Sequence, residues 1–184
     1  PDFRLLFFAT LGSSIGTWLA FIALVVDVFD RTGDATWVGA LLFAEFVPIV
    51  LLGVFAGPLV DRLSRRKILI ASDVARAAIF LVLPLAQNAS QIVLLALLAG
   101  VATSFFRPAA YAGLPNLVPA AELPRANGLI QSAENLTIAL GPLGGGILVA
   151  VGGSDPAYLA NAVSFIVSAL LIIRIRGTLE SARE

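Results

Sequence analysis

The chain has 184 residues, 59% hydrophobic and 13% charged, with a mean hydropathy of +0.96 and a net charge of zero. A water-soluble domain keeps about a quarter of its residues charged so that its surface stays wetted; this chain falls far short, and the bilayer is its expected solvent. Zero net charge removes the basic field that nucleic acid requires, and the absence of Cys and His excludes disulfides, thiolate or imidazole metal ligands, and any Cys nucleophile or His base.

A ~30 Å hydrocarbon core takes about 20 mostly apolar residues of helix. Six runs qualify, at about 3–28, 36–60, 67–85, 92–117, 123–151 and 156–173. They predict an all-α, six-transmembrane-helix bundle over residues 1–176, with 177–184 beginning a cytoplasmic linker. Backbone groups in lipid must be paired within their own segment, and none of the runs has the alternating polarity of a barrel strand. The first residue is Pro1 and Met is absent, so the chain reads as a piece of a longer protein; the first apolar run is long and no A-x-A-type site follows it, so a cleaved signal peptide is not expected. Arg4, Arg62, Arg65, Arg66, Lys67, Arg125, Arg174, Arg176 and Arg183 flank one side of the membrane and Arg31 alone the other. The positive-inside rule then puts both termini in the cytoplasm. Trp37 and Tyr158, near span ends, suit interfacial anchoring.

Span one carries Gly12, Gly16, Ala20 and Ala23 in helical register, with Ser13 and Thr17 beside them. Such a stripe serves either close helix approach or a cavity wall. Asp27 lies near its outer boundary, where exposure at the interface is one reading and a proton site another. Span two carries Glu45, about nine residues from its outer end, a second proton-site candidate. A charge at the centre of a membrane helix costs about 2.5–3.5 kcal/mol on insertion scales, which makes each a functional candidate.

The loop after span two reads Gly57-Pro58-Leu59-Val60-Asp61-Arg62-Leu63-Ser64-Arg65-Arg66-Lys67. Gly57 is expected to end the span and allow a tight turn. Positive-inside flanking explains the basic residues but not an acid among them, and Asp61 points to an ion pair or helix cap. The pattern Gly57-x-x-x-Asp61-Arg62-x-x-Arg65-Arg66 resembles the cytoplasmic signature between the second and third helices of the major facilitator superfamily, with Ser64 where that pattern usually has Gly. The resemblance implies a twelve-helix fold of which this chain is the amino-terminal half, and a gating role for Asp61, Arg62, Arg65 and Arg66. In span three, Asp73 and Arg76 are three residues apart near the inner end, which suits an ion pair on one face that meets this loop.

In span four, Arg107 aligns with Gly100, Ser104 and Tyr111, and Pro108 beside it frees a carbonyl one turn earlier. Arg107 is placed to balance Glu134 or bind an anion. In span five, Glu134 lies about eleven residues in, roughly 16 Å along a helix rising 1.5 Å per residue, near the midplane. Asn127, Gln131, Glu134, Ile138, Gly141 and Gly145 share one helical face. Gly141-Pro142-Leu143-Gly144-Gly145-Gly146 follows within that span; read physically, it is a close-packing surface with a proline kink. The string also resembles the fifth-helix motif of antiporter-type facilitators, in which Gly141, Pro142, Gly145 and Gly146 would bend the helix; Thr137 replaces an upstream glycine. Phe106-x-Pro108-Ala109, Leu114-Pro115-x-Leu117-Val118-Pro119 and Arg125-Ala126-Asn127 resemble the branch of macrolide and siderophore exporters. Asn88-x-Ser90 matches a glycosylation acceptor and is assigned no role.

The expected activity is secondary transport of a small hydrophobic molecule through a cell (inner or plasma) membrane, driven by the proton gradient, without metal or organic cofactor. Efflux by alternating access needs the missing carboxy-terminal six-helix half, with membrane lipid around both. Lysophospholipid flipping and a non-transporting sensor or scaffold are the alternatives, and no catalytic constellation is visible.

Overall fold

A computed structural model describes residues 2–179, except for the side chains of residues 54–59, 61 and 62. Its elements are α1 (Asp2–Thr32), α2 (Ala35–Arg62), α3 (Arg65–Val82), α4 (Ala89–Gly113), α5 (Leu123–Gly152) and α6 (Asp155–Arg174). Short 3-10 turns occupy Leu83–Leu85, Leu114–Asn116 and Ala120–Glu122, and the described residues contain no strand. All six helices are long and apolar enough to cross a membrane.

The helix ends follow local chemistry. Helix α1 runs a turn past the expected boundary because Arg31 pairs with Asp27 one turn earlier and Thr32 Oγ1 donates to the Val28 carbonyl. Gly33 then stops it with φ +63°, a value few residues other than glycine adopt. Asp34 caps α2 by accepting from the Thr36 amide at 2.8 Å, and this bond holds its carboxyl below the usual carboxylate range. Gly57 does not end span two as expected: the backbone stays helical through Pro58 to Arg62, because the turn needs only Leu63 and Ser64. Ser64 caps α3 through Lys67 N at φ −66°, so the departure from glycine costs nothing at this position. Asn88 caps α4 in the same way through Gln91 N.

Helix α1 packs against α5 and α6, α4 against α2 and α3, and α3 against α6, whereas α2 and α3, adjacent in sequence, barely touch. Exchanging the first three helices with the last three maps this pairing onto itself. Each unit has three spans, so the second enters the membrane from the opposite side, as an inverted repeat does. Asp2 Oδ2 accepts from the Gly177 amide at 2.6 Å, which ties both described ends together on one side. That side also carries Arg65 and Arg66, the side the arginine distribution assigns to the cytoplasm. Leu179 is buried and its carbonyl accepts from Asn116, so the start of the expected linker is held against the bundle.

Two glycine crossings set the spacing. A Cβ on Gly100 of α4 would lie 2.5 Å from the Glu45 carbonyl oxygen of α2, and one on Gly145 of α5 would strike the Leu19 carbonyl of α1. Gly141 meets Trp18 in the same way, whereas Gly146 faces open space. Backbone-to-backbone approach is how membrane helices gain dispersion contact without a hydrophobic drive between them. The stripe on α1 resolves as packing from Gly16 onward: Gly16 abuts Asn161 and Ser164 of α6, and Ala20 and Ala23 are buried, whereas nothing lies within 4 Å of a Cβ on Gly12. Tyr158, expected at the interface, is fully buried instead, donating to Asp27 at 3.0 Å and packing edge-on against Phe80. Trp37 is partly exposed beside the outer loop.

The deepest charges are Asp73 and Arg76, 0% and 3% exposed. Arg76 Nη2 donates to Asp73 Oδ1 at 2.6 Å and Ser168 Oγ of α6 donates to Oδ2 at 2.6 Å. The guanidinium lies between the Phe106 and Phe165 rings, 4.4 and 4.2 Å from their centroids. The expected pair therefore forms, but inside the bundle, joining α3, α4 and α6.

Two outcomes follow for the full-length protein in detergent. Gly145→Ala forces backbone apart and lowers stability by about 1–3 kcal/mol, while Gly146→Ala leaves the melting temperature nearly unchanged; equal shifts would show that the motif bends the helix and does not pack it. Asp73→Asn strands a buried guanidinium and costs about 3 kcal/mol or more, and Arg76→Met added to it restores part of the loss in a thermal-unfolding assay.

Candidate functional site

Inside the bundle is a cavity of about 240 Å³ reached by all six helices. Helix α1 contributes Thr10, Ser13, Ser14, Thr17, Trp18 and Phe21, one side of the helix whose other side packs on α6. Its hydroxyls are satisfied locally: Thr10 donates to the Leu6 carbonyl at 3.0 Å and Thr17 to Ser13 at 2.8 Å. A polar surface in a membrane interior is thus made without orphaned donors. The sequence showed the small residues here but not which side faced the cavity.

Four charged residues singled out from sequence line this cavity: Glu45, Arg76, Arg107 and Glu134. Arg107 Nη2 donates to Glu134 Oε2 at 2.9 Å, and Tyr111 Oη donates to the same oxygen at 3.2 Å. The Glu134 side chain is 15% exposed and that of Arg107 55%, so the carboxylate is nearly covered while its partner reaches into open space. The spacing of Arg107 and Tyr111, one turn apart on α4, brings both to the acid on α5. Thr137 Oγ1 donates to the Glu134 carbonyl at 2.7 Å, and its oxygen lies 2.6 Å from Ser14 Oγ, which therefore donates to it. The residue that replaces a glycine of the family motif thus ties α5 to α1 directly below Glu134.

Glu45 differs from Glu134. Its Oε2 is buried and has no hydrogen-bond partner, and its backbone is pinned at the Gly100 crossing. In the same cavity wall, Trp18, Phe21 and Phe46 form a chain of edge-on rings, with centroids 5.4 and 6.0 Å apart. Arg76 reaches the cavity from α3 together with Phe80, and Phe106 and Phe165 complete its wall. These aromatic neighbours come from five helices, and no spacing within one helix reveals them.

The remaining candidates lie elsewhere. Asp27 sits at the outer end of α1, bound by Arg31 and Tyr158, while Arg31 also donates to the Ala86 carbonyl at 3.0 Å; this cluster joins α1 and α6 to the turn after α3. Asn127 and Gln131 are exposed on α5 and do not line the cavity. The expected α5 face splits because burial follows Ala126, Ile130, Thr137, Gly141 and Gly145, which leaves Glu134 on the boundary. Arg65 donates to the Ala112 carbonyl at 2.9 Å and to Leu179 at 3.3 Å, and Arg66 to the Ile173 carbonyl at 3.4 Å. Both place positive charge at the carboxy-terminal ends of α4 and α6, where the helix dipole favours it. The side chains of Gly57's neighbours Asp61 and Arg62, and Gly57 itself as a contact, lie outside the described residues.

The comparisons with known proteins agree with this architecture. The chain is 28% identical over 187 residues to the multidrug efflux pump Tap of Mycobacterium tuberculosis, covering 96% of this chain and 44% of Tap. It is 28% identical over 165 residues to the staphyloferrin A transporter of Staphylococcus aureus, covering 86% and 42% respectively. Similarity to the uncharacterized MFS-type transporter YfiS of Bacillus subtilis is 27% over 161 residues, covering 87% and 39%. The chain thus spans less than half the length of these curated relatives. A family model described as Major Facilitator Superfamily matches residues 6–184, and with six apolar helices in two interlocked three-helix units, this multi-pass membrane chain belongs to that superfamily.

Proposed function

We propose that the chain is the amino-terminal half of a proton-coupled exporter that moves an apolar small molecule across the cell membrane by alternating access. The observation that carries this reading is the Arg107–Glu134 pair at the cavity wall: an ion pair held across two helices, one partner nearly covered and the other exposed. Protonation of Glu134 removes the charge that holds Arg107. The freed guanidinium must then find another anion or water, so the two protonation states favour different arrangements of α4 and α5. Tyr111, which donates to the carboxylate, keeps the acid oriented in both states.

Transport needs a second bundle to complete the path, since a site at the repeat interface opens alternately by rocking one half against the other. That the relatives are more than twice as long supports a carboxy-terminal half as the partner. The name of Tap supports efflux of a drug, and that of the staphyloferrin A transporter supports a siderophore as cargo. The cavity's wall of aromatic and aliphatic side chains with a few convergent polar groups suits such a substrate.

Everted vesicles bearing the full-length protein test this reading with a panel of macrolides, tetracyclines, siderophores and lysolipids. Glu134→Gln is expected to abolish proton-driven transport, by at least about tenfold, with expression unchanged. Wild-type transport in that variant sinks the coupling role. Movement of lysolipids alone moves the chain to the flippase reading, and no accumulation of any compound supports a scaffold.

A further inference from the structure

The polar groups of the cavity wall divide by whether their protons are already engaged. Thr10, Ser13 and Thr17 donate to carbonyls of α1, Thr103 donates to the Ala99 carbonyl at 2.8 Å, and Ser14 donates to Thr137. Among the described residues of the wall, Trp18, Arg107 and Arg76 keep protons to donate. The Arg107 side chain is more than half exposed, so a ligand bound there only replaces water.

Arg76 is held differently. Its Nε donates to the Ser72 carbonyl and its Nη2 to Asp73 Oδ1, while Nη1 donates to no described group. The Phe106 and Phe165 rings cover the faces of the guanidinium, and both rings belong to the cavity wall as well. Ser168 fixes Asp73 in turn, so the planar fork is locked by groups from α3, α4 and α6. The cavity therefore receives the edge of this side chain: a fixed N–H donor framed by two aromatic rings, in a place water does not freely reach.

The charge balance selects the acceptor. Asp73 neutralises Arg76 and Glu134 neutralises Arg107, while Glu45 adds an acid without a partner. An anion entering this wall gives up its hydration and meets no net positive charge. A neutral carbonyl gives up far less and gains a charge-assisted hydrogen bond. It also brings no proton that would need an acceptor, as a hydroxyl does. Being planar, it suits the in-plane approach that the two rings leave open.

We infer that Arg76 is a specificity-determining residue of the cavity: its Nη1 edge, framed by Phe106 and Phe165, binds a neutral carbonyl oxygen of an apolar, ring-bearing substrate. Asp73 and Ser168 are positioning residues for this donor. The inference rests on the reading that a substrate occupies the cavity, and it narrows that substrate from apolar to carbonyl-bearing. Glu134 keeps its own partners and has no part in it.

Equilibrium binding tests the subsite without requiring transport. The probes are benzophenone and diphenylmethane, which share two rings and differ in the carbonyl, and 4-benzoylbenzoate, which adds an anion. Radiolabelled probes are bound to the full-length protein in detergent, and each affinity is referred to partition into protein-free micelles. Wild type is expected to prefer the ketone to the hydrocarbon by about tenfold, the worth of one charge-assisted hydrogen bond, and to bind the benzoate no better than the ketone. Asp73→Asn combined with Arg76→Met removes the pair without stranding a charge. That variant is expected to lose the preference and keep its affinity for diphenylmethane, whereas a purely structural role would move both affinities together and leave their ratio. Trp18→Phe and Arg107→Gln are expected to keep the wild-type ratio.

Equal binding of ketone and hydrocarbon by wild type, a preference that survives the double substitution, tighter binding of the benzoate, or loss of the preference in Trp18→Phe or Arg107→Gln overturns the inference. If the double variant does not fold, irradiation of the wild-type benzophenone complex decides. The excited ketone takes a hydrogen from a neighbouring C–H group, and the two carbon radicals join to leave a carbinol. A label in the peptides that hold Arg76, Phe106 or Phe165 supports the site, and a label confined to other peptides overturns it. Ketone preference that depends on Arg76 in a protein that transports nothing leaves the site standing and removes the exporter reading. Proton-driven transport with no ketone preference does the reverse.

Discussion

A charge inside a bilayer must be matched by another group of the protein, and the arrangement of this bundle depends on how that matching is done. Asp73 and Arg76 satisfy each other within one helix, but Ser168 donates the second hydrogen bond to the Asp73 carboxylate and Phe106 and Phe165 enclose the guanidinium. One ion pair thus fixes the relation of α3, α4 and α6. Arg107 and Glu134 do the same for α4 and α5, with Ser14 and Thr137 extending the connection to α1. At the outer end, Asp27, Arg31 and Tyr158 tie α1 to α6. Each polar cluster spans helices, because the partner an isolated span cannot supply has to come from a neighbour.

The second requirement is close approach. Lipid tails are as apolar as the helices, so burial alone gives little reason for helices to associate. Glycine at positions 100 and 145 lets backbones touch at two crossings that the three-helix repeat relates to each other. These crossings bring Glu45 and Trp18, both beside a contact carbonyl, to the cavity wall. Tight packing and the site's geometry therefore have one origin. The glycine string on α5 divides accordingly: Gly141 and Gly145 receive α1, while Gly146 receives nothing within this bundle.

The acids of the cavity are unequal for physical reasons. Glu134 stands on the boundary of the buried face of α5, where an arginine and a tyrosine one turn apart on α4 can reach it. Glu45 stands where α2 and α4 touch through backbone, and a contact that close leaves no room on α4 for a donor side chain opposite it. Arg65 and Arg66 cap the ends of α4 and α6, so the basic loop of the first repeat unit is joined to helices of the second.

The amino-acid sequence alone determined the six spans, the membrane as solvent and the family, since length and hydropathy are properties of single segments. It also identified the Asp73–Arg76 pair and Glu134 as a buried acid, because spacing within one helix and the rarity of charge in apolar runs are visible in one dimension. The end of α1 drifted by a turn, to Thr32, where an ion pair and a hydroxyl bond overrode hydropathy. Only the tertiary structure decided which acid has partners. It moved Tyr158 from the interface to the core, removed Asn127, Gln131 and Asp27 from the cavity, and assembled Trp18, Phe21, Phe46, Phe106 and Phe165 from four helices. Whether a side chain faces lipid, a neighbour or a cavity depends on how each helix is rotated about its axis. That rotation is set by contacts between spans, and in a chain apolar on all sides the pattern along one helix carries little record of it.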